Sequence, residues 1–112
     1  MESSTATPPE SLSEREATDI EAAVLRRLLK HFDERKDVQN IELMILAGFC
    51  RNCLSKWFVE AARERGHDID LERARERIYG MPYSEWKSHY QAPATPEQLA
   101  RLEAVEQGKK SG

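Results

Sequence analysis

The residues best suited to chemistry lie in one stretch, "GFCRNCLSKW" (Gly48 to Trp57), which holds both cysteines of the chain, Cys50 and Cys53. A Cys-x-x-Cys pair supports three kinds of behaviour. As a redox pair, Cys50 is the nucleophile and Cys53 the resolving thiol; such thiols sit at helix N-termini, where the dipole lowers the thiol pKa. As half of a zinc or iron site, the two thiolates need further ligands to complete a tetrahedron. His31 is the candidate third ligand, and a second copy of the chain offers two more thiolates. His67 and His89 fall in or near loops. As packing, the thiols are small hydrophobes of a core. The chain has no second Cys-x-x-Cys, and Leu54 stands where a haem-attachment motif needs histidine. Buried free thiols are the simplest reading, with metal or redox chemistry as the alternative.

A chain of 112 residues suits a single domain, and its 39% hydrophobic content fills one modest core under a charged surface. The net charge is −3 with both signs dispersed, which excludes the basic face of a nucleic-acid or membrane-surface binder. Arg63, Arg65, Arg73, Arg75 and Arg77 alternate with Glu64, Asp68, Asp70, Glu72 and Glu76, so this run reads as a solvated face. No apolar run approaches the roughly 20 residues of a membrane span. The start "MESSTATPPESLSE" lacks the basic and apolar regions of a signal peptide. The expected compartment is the cytoplasm, with reduced thiols. Gly-rich phosphate loops, a connected Ser-His-Asp set and His-Glu-x-x-His are all missing.

The elements that position the cysteines are helical. Residues 1–17 are rich in Ser, Thr, Pro and Glu and read as a disordered arm; residues 18–107 form the domain and 108–112 a flexible tail. Thr18 and Glu21 make a capping box for a first helix with the stripe Ile20, Val24, Leu25, Leu28 and Phe32. A long, apolar second helix starts at Asp37 or Asn40 and runs to Gly66, a C′ residue. Asp70 to Gly80 bounds a third helix. Pro82 opens a short aromatic one as its first residue, and Thr95-Pro96-Glu97-Gln98 caps a last one. No stretch alternates with period two. The fold expected is all-α: a compact bundle of about five helices around one long central helix.

At about 100° per residue, the central helix carries Leu43, Leu46, Ala47, Cys50, Cys53, Leu54, Trp57 and Ala61 on one side, the expected core stripe. Ile45, Gly48, Asn52, Ser55 and Val59 gather on the other, and none is charged. A solvent face normally bears charge. This second face therefore reads as a homodimer seam, with Asn52 pairing across a two-fold axis, or as the seat of another helix of the chain. Tyr79, Tyr83, Trp86 and Tyr90 form a further cluster, read as a clamp on the bundle with an aromatic ligand pocket as the alternative.

With "DVQNIELMILAGFCRNCLSKW" (37–57) and "YGMPYSEWK" (79–87) in view, the chain resembles a family of short bacterial proteins, domain of unknown function 1244, over roughly residues 20–100. The resemblance implies an all-helical fold and includes the Cys50-Arg51-Asn52-Cys53 core and the Gly80-Met81-Pro82-Tyr83 turn. It brings no activity, substrate or cofactor with it. The function expected from the sequence is a non-catalytic, homodimeric interaction or regulatory module; the alternative is a metal or redox protein built on Cys50 and Cys53.

Overall fold

The computed structural model describes residues 8–111, with side chains to residue 108. Every regular element among them is helical. The chain divides into two compact units, Met1–His31 and Phe32–Gly112.

The first unit holds a 3-10 turn at Pro9–Ser11 and most of helix α1, Glu14–Glu34. The helix starts a turn earlier than Thr18. Ser13 and Glu16 form the capping box instead: the Glu16 amide donates to Ser13 Oγ at 3.1 Å and the Ser13 amide to Glu16 Oε1 at 2.9 Å. Thr18 lies inside the helix and donates back to the Glu14 carbonyl at 2.8 Å. Two Ser/Thr-x-x-Glu patterns stand in tandem here. The first wins because nothing between Ser13 and Thr18 breaks a helix, so each residue added gains a backbone bond. The expected arm thus falls partly on residues 1–7, outside the described residues, and partly on the 3-10 turn and the start of α1. Ile20, Val24 and Leu25 are exposed.

The second unit contains α2 (Asn40–Ala47), α3 (Arg51–Glu64), α4 (Leu71–Tyr79), α5 (Tyr83–Tyr90) and α6 (Pro96–Ser111). The expected long central helix is two helices. Gly48 ends α2 in the left-handed region (φ 79°), its amide bonding Met44 O at 3.0 Å. Cys50 is extended (φ −148°, ψ −173°) and begins α3 as its N-cap. A glycine at φ near +80° loses no side-chain freedom there, whereas an L-residue would be strained. The break makes six helices of the five expected.

Other boundaries follow the local signals. Gly66 (φ 82°) completes a Schellman motif on α3, with His67 N–H to Ala62 O at 2.9 Å and Gly66 N–H to Arg63 O at 3.0 Å. Gly80 stops α4. Thr95 and Gln98 exchange bonds of 3.1 and 2.9 Å at the start of α6, with Pro96 as its first residue. Pro82 is the N-cap of α5 rather than its first helical residue. Gln39, not Asp37 or Asn40, caps α2: its amide donates to Glu42 Oε1 at 2.7 Å. The residues expected as a tail continue α6 to Ser111.

Helix α3 packs on α4, α4 on α5, and α2 on α6. The buried side chains are Phe32, Cys50, Arg51, Ser55, Ala62, Ala74, Ile78, Tyr79 and Trp86. This departs in part from the expected facing of the central segment, of whose core stripe Cys50 is buried and Leu43, Cys53 and Leu54 half-buried. Leu46 is 85% exposed and Trp57 51%, although both were assigned to the core stripe. Ser55, assigned to the outer face, is fully buried. The left-handed backbone at Gly48 resets the helical phase, so a single wheel does not describe both sides of it.

Candidate functional site at the start of helix α3

The break at Gly48 drives the first residues of α3 into the fold. Arg51, the first helical residue, is 1% exposed. Its Nη1 donates to the Val38 carbonyl (2.9 Å) and to Asn40 Oδ1 (3.0 Å), and its Nη2 to the Arg35 carbonyl (3.0 Å). The guanidinium carbon lies 5.0 Å from the ring centroids of both Phe32 and Trp86, a cation held between two aromatic rings. Among the described residues no carboxylate forms an ion pair with it. Burial pulls the Arg51 pKa down. Three carbonyl-type acceptors and two rings offset the lost hydration.

A chain of hydrogen bonds leads outward from Arg51. Asn40 Nδ2 donates to the Tyr79 hydroxyl (3.0 Å), which donates to Asn52 Oδ1 (2.8 Å). Burial pushes the Tyr79 phenol well above its usual range, so it stays protonated and able to donate. Ser55 donates to the Arg51 carbonyl at 3.0 Å one turn on.

The two cysteines flank this network, and both are free. Cys50 is 5% exposed and Cys53 half-buried. Burial pushes the Cys50 thiol up, while the backbone amides of Cys53 and Asn52 pull the other way. Cys53 Sγ lies 3.8 Å from Met44 Sδ. Cys50 therefore is a capping residue, not the mid-helix residue that the sequence suggested. It stands at a helix N-terminus, the setting in which redox thiols are found.

The remaining candidates are divided by the fold. His31 is exposed on α1. Among the described residues no three of His, Cys, Asp and Glu gather as a metal site; His31 belongs to the first unit and the two cysteines to the second. Of the five expected seam residues, Asn52 and Ser55 turn inward, Gly48 forms the helix break, and Ile45 and Val59 are half-buried. The aromatic set is half interior and half surface. Tyr79 and Trp86 are buried with centroids 5.0 Å apart; Tyr83 lies 5.2 Å from Tyr79, and Tyr90 6.2 Å from Trp86. Tyr83 lines a cavity of about 330 Å³, together with Asn40, Asn52 and the segment 91–94.

Sequence reasoning gave Arg51 and Met44 no role of their own, and Asn40 only that of a possible helix start. The signal was a lone arginine inside "GFCRNC" next to a glycine able to end a helix.

Residues 38–104 match the model of a family described as Protein of unknown function (DUF1244), more than half of the chain. The chain belongs to this family. No curated protein matches it. The DUF1244 segment runs from α2 into α6 and includes Cys50, Arg51, Cys53 and the aromatic set, but leaves α1 outside. No helix among the described residues is long and apolar enough to cross a membrane.

Proposed function

We propose that this DUF1244 protein is a non-catalytic interaction module of the cytoplasm that pairs with a second copy of itself through the α2–α6 face. The observation that carries this reading is Leu46, an aliphatic side chain left 85% exposed at the end of α2. Beside it, Ile45, Glu42, Glu97, Gln98 and Arg101 line a cleft of about 450 Å³ between the two helices. A two-fold axis over this face would seat each Leu46 in the other copy's cleft. Arg101, paired with Glu97 in its own chain at 3.7 Å, would also come toward Glu42 of the other copy, so the patch is complementary to itself. Fully burying one leucine is worth about 1.5–3 kcal/mol, and symmetry doubles the gain. Ile45 keeps its place in the seam, while Asn52 and Ser55 leave it. The two free thiols suit a reducing compartment.

Sedimentation equilibrium tests this pairing. The wild type is expected at twice the 12.9 kDa chain mass, and Leu46→Asp at the chain mass with an unchanged far-UV spectrum. A wild type that sediments as a single chain, or a Leu46→Asp variant that remains a dimer, overturns the proposal.

A further inference from the structure

We propose that Cys50 and Cys53 are a redox-active dithiol that a small-molecule disulfide oxidises to an intramolecular disulfide, with Cys53 as the entry thiol and Cys50 as the resolving one. This does not depend on pairing of two copies.

Three independent observations carry it. The first is backbone geometry. A disulfide between i and i+3 inside a helix is strained, because both Cα–Cβ bonds tilt toward the N-terminus in parallel. Cys50 is not in the helix: its extended φ and ψ free its Cα–Cβ bond from that direction, while Cys53 sits three residues on in the first turn of α3. The left-handed Gly48 is what places Cys50 there.

The second is charge. The pair lies at the start of a 14-residue helix with no acidic residue in its first turn. Burial holds the Cys50 thiol above its usual range; the amides of Cys53 and Asn52 act against that, and the neighbouring Arg51 is a buried cation without an ion-paired carboxylate among the described residues. A negative charge that forms transiently on sulfur is stabilised there by fixed dipoles and a fixed cation.

The third is access, and it sets the order. Cys50 is 5% exposed and Cys53 half-buried, so a small disulfide meets Cys53 first. One turn further along α3, Trp57 is exposed and stacks on Phe49 with ring centroids 5.9 Å apart, an apolar landing beside Cys53.

The chemistry balances. The Cys53 thiolate, its proton given to solvent, attacks one sulfur of R–S–S–R; a Cys53–S–S–R bond forms and the R–S–S–R bond breaks, releasing RS⁻. Cys50, losing its proton in turn, attacks the Cys53 sulfur and expels the second RS⁻. Both thiolates take up the two protons. The protein dithiol loses two electrons and two hydrogens, and the oxidant is reduced to two RSH. In a cytoplasm such a disulfide is transient, as befits a redox sensor rather than a structural bridge.

The test equilibrates the native full chain with mixtures of reduced and oxidised glutathione, quenches by alkylation and weighs the intact protein. The wild type is expected to pass from a doubly alkylated dithiol to an unalkylated form lighter by two hydrogens than the reduced chain, with no lasting adduct. Cys50→Ser is expected to accumulate a glutathione adduct on Cys53. Cys53→Ser is expected to form its adduct at least tenfold more slowly. Wild-type thiols that stay reduced while denatured protein oxidises overturn the proposal, as does a persistent wild-type adduct or a disulfide between two chains. Equal rates for the two serine variants overturn the assigned order. Monomeric protein that still closes the disulfide separates this result from failure of the proposed pairing.

Discussion

Leu46 and Arg51 stand five residues apart, and the fold treats them oppositely to their chemistry. The leucine is 85% exposed and the arginine 1%. Between them lies Gly48, whose left-handed backbone turns the chain so that α2 and α3 no longer share a wheel. Burial is thus set by where a helix begins, and hydrophobicity acts within that frame. A buried guanidinium is tolerable when acceptors and rings surround it, and a single exposed leucine is ordinary on a protein surface.

Breaking the buried side of this contrast should have the largest effect. Arg51→Ala leaves the Val38 and Arg35 carbonyls and Asn40 Oδ1 without their donor and opens space between Phe32 and Trp86. A loss of about 3–5 kcal/mol is expected in urea unfolding. Arg51→Lys should recover only part of it, because one ammonium cannot reproduce the planar fork. If Arg51→Ala unfolds like wild type, the network is not a stability centre.

The hinge between the two regions comes next. Gly48→Ala places a Cβ at φ 79° and should cost about 1–2 kcal/mol, with Gly48→Asn costing less. Equal urea midpoints for Gly48→Ala and wild type would mean that the helix runs on through residue 48.

The titration of the buried side gives a smaller, graded effect. Tyr79 and Cys50 both have folded pKa values above their ordinary 10.0 and 9.0, so each holds its proton more tightly when folded. Their contribution is fully present below those ordinary values. It is lost as pH rises beyond them, because the unfolded chain releases protons first. A urea midpoint that is flat to about pH 9 and then declines is expected. Tyr79→Phe should lower the midpoint at neutral pH and soften the decline above about pH 10. A midpoint that rises with pH would reverse the assignment.

The exposed side should respond least in a single chain. Leu46→Ser should shift monomer stability by no more than about 0.5 kcal/mol, measured at protein concentrations below any association. A larger loss would mean that Leu46 belongs to the core after all.

How far the sequence foretold this depends on whether a signal was local. Gly66, Gly80 and the Thr95–Gln98 box act within a turn of themselves, and each ended or began a helix where its chemistry required. The all-helical class follows from the same kind of signal. Gly48 was ambiguous, since a glycine in an apolar run is either a small contact residue or a stop. The residue that caps the next helix is a cysteine, outside the usual capping types. With that one junction unread, the long helix, the core stripe and the seam were all drawn through it. The chemistry of Arg51 was then invisible, because its acceptors at residues 35, 38 and 40 come together only after the turn. The Cys50–Cys53 pair was found by spacing, but its relation to the helix end was not.

Gln39 does more than cap α2. Its carboxamide donates to the Tyr90 carbonyl (2.9 Å) and accepts from the Ala92 amide (2.8 Å), gripping the chain just past α5 from more than fifty positions away. Residue 92 lies outside any helix, where an amide ordinarily exchanges its proton with solvent within moments. Held this way, the Ala92 amide should exchange slowly for as long as the start of α2 and the end of α5 remain docked. Slow exchange at this amide would make it a clock for that docking.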